Sequence, residues 1–281
     1  MVSRMPAPHP SEDLSLHQFG RTDAGAPTLL LLHGLTDSGR CWPDAVGRWQ
    51  NDYRVLAWDA RGHGESERFT EAELGDGVGE THRDDLVDLL EIFAGEGVER
   101  PVLVAHSMGG GTAAAVASTR PELVRAVLLE DPALGHGRYA DLDTQEGARL
   151  RVAEARETNA NPSGAMKRGR TIHADWPASE FKPWLDAKLQ TDLDMLADPI
   201  ITVRTPWYDV AAAVAVPGLV VTGDNGAIWQ GDLLSRLRAV MSTNDRLDLA
   251  IVAGAGHCVR RDRPEAFHTV VDPWIAKQFA E

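Results

Sequence analysis

The chain has 281 residues, 43% hydrophobic and 25% charged, the proportions of a soluble globular protein with room for one large domain. Its 42 acidic residues outnumber its 28 Lys and Arg, and the formal charge of −14 disfavours nucleic acid and anionic membrane as partners, since both need clustered cations. No apolar run approaches the roughly 18 residues of a membrane span.

In chain order, the opening MVSRMPAPHP lacks the apolar core of a secretory signal and reads as a loose leader. Short apolar runs then alternate with longer amphipathic segments, the pattern of strands and crossover helices around a parallel sheet. Thr28 to Leu32, Arg54 to Trp58, Pro101 to Ala105 and Arg125 to Leu129 each predict a buried strand, and Gly218 to Thr222 and Leu247 to Val252 follow late. They are apolar at nearly every position because helices cover both faces of such a sheet. His82 to Phe93, Gly110 to Ser118, Leu233 to Met241 and Pro264 to Phe279 carry helical spacing, the last with Pro at its start.

Residues 135–205 break the alternation: polar helical segments rich in Trp, Asp and Arg, with no strand-like run. The division predicted is therefore a core of 1–134 and 206–281 with a helical lid over 135–205, covering the strand ends where open α/β sheets bind ligands. Trp176, Trp184, Trp207 and Tyr208 are candidates to line the lid's underside, or else to form its own small core. Cys41 and Cys258 have no metal-ligand spacing. They read as reduced thiols of a cytoplasmic protein, with a bridge between them left open.

The strongest chemical signal is Pro101-Val-Leu-Val-Ala-His-Ser-Met-Gly-Gly110, where a buried strand runs into Ser107 and an Ala-rich helix follows. This is the strand–turn–helix context of a nucleophile elbow, whose strained turn lifts the serine hydroxyl above the sheet. Ala105 stands where the pattern more often has Gly. A serine needs a base, and His257, on the Gly-rich loop Ala253-Gly-Ala-Gly-His-Cys258 after the last strand, is placed to supply one. His33-Gly34-Leu35 follows the first buried strand. The N–H groups of Leu35 and Met108 are candidate oxyanion donors, with Gly34 beside the substrate.

Taken together, His33-Gly34, Asp59-Ala-Arg-Gly-His-Gly-Glu-Ser66, His106-Ser-Met-Gly109 and Gly256-His257 resemble the α/β-hydrolase superfamily, and they occur in its order. The resemblance implies a mostly parallel eight-stranded sheet flanked by helices, a helical lid inserted after the sixth strand, and a Ser–His–acid triad. It implies a structural role for Asp59 and His63.

The acid departs from the family pattern. The usual position, three residues after the strand-ending Gly223, is Gly226; Asp224 lies nearby but where a turn former is common. Glu130, two residues before Pro132, matches the position used by zearalenone lactonases that this segment resembles. Glu130 is the leading assignment, Asp224 the alternative and Asp131 the third.

Ser at the elbow favours acyl transfer on an ester or lactone of a medium-sized, partly apolar small molecule, with no cofactor or metal required. Relatives that open epoxides or release halide use Asp there. Two other readings stand beside this one: a carbon–carbon bond hydrolase, for which Arg168, Arg170 or Arg204 would meet a substrate carboxylate, and a non-catalytic ligand-binding member. A monomer or homodimer is expected.

Overall fold

A computed structural model of the chain describes residues 3–4, 14–23, 25–98, 100–136 and 144–280. Eight strands form one sheet: β1 (Ser3–Arg4), β2 (Leu16–Gly20), β3 (Thr28–Leu32), β4 (Arg54–Trp58), β5 (Val102–His106), β6 (Ala126–Glu130), β7 (Gly218–Gly223) and β8 (Leu247–Val252). Their order across the sheet is β1-β2-β4-β3-β5-β6-β7-β8. β1 and β2 run antiparallel, and every pairing from β4 to β8 is parallel.

Most of the leader lies outside the described residues, but Ser3–Arg4 pairs with His17 and Gln18 as an edge strand. Neither β1 nor β2 was expected from the sequence. Two residues carry no periodicity, and LHQFG lacks an apolar alternation because its one buried residue is the polar His17.

Every residue of β3, β5, β6 and β7 is buried. Alternate side chains feed two separate cores. Leu30, Leu32, Leu103, Val127 and Leu129 pack on one face, and Leu29, Leu31, Val102, Val104 and Leu128 pack on the other. Helices close both faces, as the continuous apolar runs require.

The helices are α1 (Pro43–Trp49), α2 (Glu71–Asp76), α3 (Val78–Gly95), α4 (Ser107–Thr119), α5 (Gln145–Ala160), α6 (Pro162–Ile172), α7 (Phe181–Leu189), α8 (Leu193–Leu196), α9 (Trp207–Ala213), α10 (Gly231–Met241), α11 (Val259–Asp262) and α12 (Pro264–Phe279). α5 to α9 all fall between β6 and β7, where the sequence lacks strand-like runs; residues 137–143 of this insertion lie outside the described set. Local chemistry sets its joints. Thr144 caps α5 through Gly147 N–H at 3.0 Å, and Asn161 caps α6 through Gly164 N–H at 2.9 Å, with Pro162 at the first helical position. No helix among the described residues is long and apolar enough to cross a membrane.

Candidate active site

Ser107 follows the last residue of β5 directly and opens α4. Its φ is 51°, left-handed backbone that a non-glycine residue adopts at a cost of about 1–3 kcal/mol. The turn is held by its neighbours: Ala133 N–H donates to the Ser107 carbonyl at 2.7 Å, and Gly109 N–H donates to the His33 carbonyl at 3.1 Å. A Cβ at Gly109 would stand 2.5 Å from the Leu32 carbonyl oxygen, so only glycine lets α4 close on the end of β3. Ala105, fully buried, fits the place where glycine is commoner.

His257 reaches the same point from the loop after β8. Its Nε2 lies 3.0 Å from Ser107 Oγ, and its Nδ1 lies 2.6 Å from Asp131 Oδ2. The loop is pinned on both sides of the ring. His106 Nε2 donates to the His257 carbonyl at 3.1 Å, and Asp262 Oδ2 accepts from Gly256 N–H at 2.7 Å. Burial pushes the His106 imidazole well below its ordinary value, with His257 and Arg260 adding to the effect, so it sits there as a neutral donor.

The carboxylate on His257 is Asp131, not Glu130. β6 continues one residue further than the sequence suggests, so Glu130 is its last member and points to the face carrying Leu128 and Ala126. There it accepts from Arg260 backbone N–H at 2.8 Å and from Arg260 Nη1 at 2.5 Å. Burial raises its pKa against the pull of Arg260. Asp131 is the first residue beyond the strand, and its φ of 38° turns the side chain over the sheet's edge. It is fully buried and takes four donors: His257 Nδ1, Ile228 N–H at 2.8 Å, Thr222 Oγ1 at 2.7 Å and Trp229 N–H at 3.4 Å. The alternative, Asp224, is engaged elsewhere, accepting from Gly254 N–H at 2.7 Å as a turn former.

A Cβ at Gly34 would lie 3.1 Å from Ser107 Cβ, which places the His33–Leu35 turn against the serine. His33 braces that turn, donating from Nδ1 to the Gly34 carbonyl at 2.8 Å and accepting Ala60 N–H at Nε2 at 3.0 Å. Met108 is among the first N–H groups of α4, which have no acceptor within the helix. The turn carrying Leu35 and the first turn of α4 carrying Met108 thus both adjoin Ser107. Asp59 accepts from His17 Nε2 and from the N–H groups of Gly39 and Glu65, bracing the turn after β4 away from the serine.

Of the aromatics named from the sequence, Trp176 and Trp184 pack within the insertion, one of the two readings offered for them. Trp207 is 1% exposed and packs on Trp229 in the core, while Tyr208 is 45% exposed at the surface. Trp176 stacks on His173 and donates from Nε1 to Asp262 Oδ1 at 2.7 Å. Asp262 thus joins the insertion to the loop carrying His257. Trp184, half-buried, packs on Gly169 and beneath Lys188. Of the insertion's arginines, Arg168 pairs with Glu157, Arg170 lies over Phe181, and Arg204 donates to the Asp76 carbonyl beside Glu80.

Sequence reading gave no role to Arg260 and Arg261, which prove to organise the surroundings. Arg261 pairs with Asp37 at 3.0 Å and Glu180 at 2.8 Å, and both arginines donate to the Cys41 carbonyl. Two arginines three and four residues beyond the loop histidine, in a chain this acidic, were the available signal. Cys41 and Cys258 are both free thiols. Among the described residues, no group of three or more His, Cys, Asp or Glu is placed to hold a metal ion.

The model of the alpha/beta hydrolase family matches residues 29–270. The chain belongs to that family. It is 25% identical over 277 residues to an sn-1-specific diacylglycerol lipase of Mus musculus, covering 90% of this chain and 82% of the relative. It is 29% identical over 118 residues to epoxide hydrolase 4 of Mus musculus, covering 41% of this chain and only 31% of that protein. Among solved structures, E-2-(acetamidomethylene)succinate hydrolase superposes with a TM-score of 0.74 at 19% identity, over 98% of this chain and 99% of that one. The enol-lactonase of Burkholderia xenovorans LB400 does so with a TM-score of 0.72 at 20% identity, over 94% and 96%. These likenesses carry the fold.

Proposed function

We propose that this member of the family is a serine hydrolase that cleaves a carboxylic ester or lactone of a small, partly apolar molecule through an acyl-enzyme. The observation that carries the reading is the unbroken chain Ser107 Oγ–His257–Asp131, with contacts of 3.0 and 2.6 Å.

In this reading His257 Nε2 takes the proton as Ser107 Oγ attacks the carbonyl carbon. Buried Asp131 holds the proton on Nδ1 and stabilises the imidazolium that forms. Leu35 and Met108 N–H groups receive the oxyanion, each donor worth about 3 kcal/mol in the transition state. The intermediate collapses as His257 returns the proton to the leaving alkoxide. Water, activated by the same imidazole, then releases the acid. Serine at position 107 suits acyl transfer, whereas epoxide opening in this family relies on Asp at that point. The insertion of residues 135–205 acts as the lid over the site.

Turnover of p-nitrophenyl esters of graded chain length and of simple lactones tests the reading. Hydrolysis of at least one series by wild type, lost in Ser107→Ala, supports it. Activity that survives Ser107→Ala overturns it.

A further inference from the structure

Beside the oxyanion turn is a pocket of about 150 Å³, many times the space one ordered water needs. Leu35 and Thr36 form its floor, and the insertion supplies Arg151, Glu154, Ala155 and Thr158 from α5 and Lys188 from α7. We propose that this pocket binds a carboxylate carried by the substrate, with Lys188 as the residue that selects it. This rests on the serine-hydrolase reading above.

Lys188 is half-buried, and none of its contacts is an acidic side chain within ion-pair distance among the described residues. Its Nζ donates to Thr36 Oγ1 at 2.8 Å and stands over the Trp184 ring at 5.1 Å. One hydroxyl and one aromatic face leave an ammonium with donors to spare. A partly desolvated cation gains most from an opposite charge. Arg151, the other cation lining the pocket, donates from Nη2 to the Asp198 carbonyl at 2.6 Å, while Arg168, Arg170 and Arg204 are turned to partners outside it. Although Lys188 lies in the last turn of α7, where a cation favours the helix dipole, its hydrogen bond crosses to the oxyanion turn instead.

Thr36 supports the assignment. Its φ of 62° is left-handed backbone adopted by a β-branched residue, a position that costs about 1–3 kcal/mol and persists where the surroundings demand it. The strain brings the hydroxyl under Lys188 immediately after Leu35, whose N–H is a candidate oxyanion donor. A carboxylate on Lys188 would sit beside the turn that carries Leu35, which suits an acid with a short carbon chain. Asp37, the nearby acid, pairs with Arg261 and Arg260, which together with a weaker pull from Lys188 bring it below its ordinary value although burial alone would raise it. Glu154 is exposed at the rim.

The test uses protection of Ser107 from a neutral fluorophosphonate by glutarate or adipate, each compared with its uncharged diamide. In wild type, the diacid should half-protect at a concentration at least tenfold below that of the diamide. Lys188→Met should abolish the difference, and Lys188→Arg should keep most of it. Equal protection by diacid and diamide, no protection by either, or a difference that persists in Lys188→Met overturns the carboxylate assignment while leaving the nucleophile intact. A wild type that the fluorophosphonate does not label at all refutes the serine-hydrolase reading itself, and this assignment with it.

Discussion

Glu130 and Asp131 are adjacent in sequence and both fully buried, yet their removal should produce opposite readouts. In Asp131→Asn, one of two carboxylate oxygens becomes an NH₂ group among four donors. The amide can turn its nitrogen toward Thr222, whose hydroxyl is able to accept, and still present oxygen to His257. The imidazolium then loses only its negative partner, worth about 4 kcal/mol for charges about 4 Å apart at an effective dielectric near 20. Turned the other way, the amide drives the imidazole proton onto Nε2, where it faces Ser107 and blocks proton transfer. Turnover should therefore fall by about three to four orders of magnitude. Glu130→Gln instead weakens a buried ion pair with Arg260, a loss of about 3 kcal/mol in stability and several degrees in Tm. Below its own melting transition, that variant should keep kcat within about tenfold of wild type. Steady-state kinetics on the best ester, with thermal unfolding of both variants, decides the matter. Collapse of turnover in folded Glu130→Gln, with near-full activity in Asp131→Asn, would refute the reasoning.

Other outcomes follow from the same geometry. Trp176→Phe removes the donor to Asp262, and should lower stability by about 1–3 kcal/mol in urea titrations; an unchanged midpoint would show that Asp262 does not tie the insertion down. Gly109→Ala puts a methyl 2.5 Å from the Leu32 carbonyl, so soluble expression at wild-type Tm would contradict the packing of α4 on β3. Acid should destabilise the fold through the buried ring cluster His33, His63 and His82, whose burial lowers each pKa, that of His82 to about 4. Above about pH 6.5 these rings are neutral whether the chain is folded or not. Between there and about pH 4 the unfolded chain takes up protons that the folded one refuses, so stability falls with pH, by about 3 kcal/mol for His82 alone. Urea midpoints from pH 7.5 to 4.5 read this, and His82→Gln should flatten part of the slope; identical slopes in both proteins would contradict it.

Much of the architecture was legible because buried parallel strands must be apolar on both faces. Thr28 to Leu32, Arg54 to Trp58 and Leu247 to Val252 coincide with β3, β4 and β8, and Pro264 to Phe279 with α12. Ser107 and His257 were legible because an elbow and a Gly-rich loop are local features of sequence. The acid was not. Whether Glu130 or Asp131 faces the imidazole depends on where β6 ends, and a one-residue shift reverses which face a side chain joins. No pattern in Leu128-Leu-Glu-Asp-Pro132 shows the left-handed turn at Asp131. The insertion's aromatics stayed between two readings for a related reason: composition shows that Trp176 and Trp207 seek burial but not against what. Lys188, one basic residue among many in a helix, becomes distinctive only when Thr36 and the pocket are seen around it.

Catalysis at this site requires an activated hydroxyl at Ser107. Brief exposure to a neutral fluorophosphonate, followed by intact-mass and peptide mapping, reads that activation without knowledge of the substrate. One adduct per wild-type chain, located on Ser107, absent in Ser107→Ala and slowed by at least a thousandfold in His257→Ala, is the predicted result. An unmodified wild type, or labelling of Ser107 at the same rate without the imidazole, would contradict it.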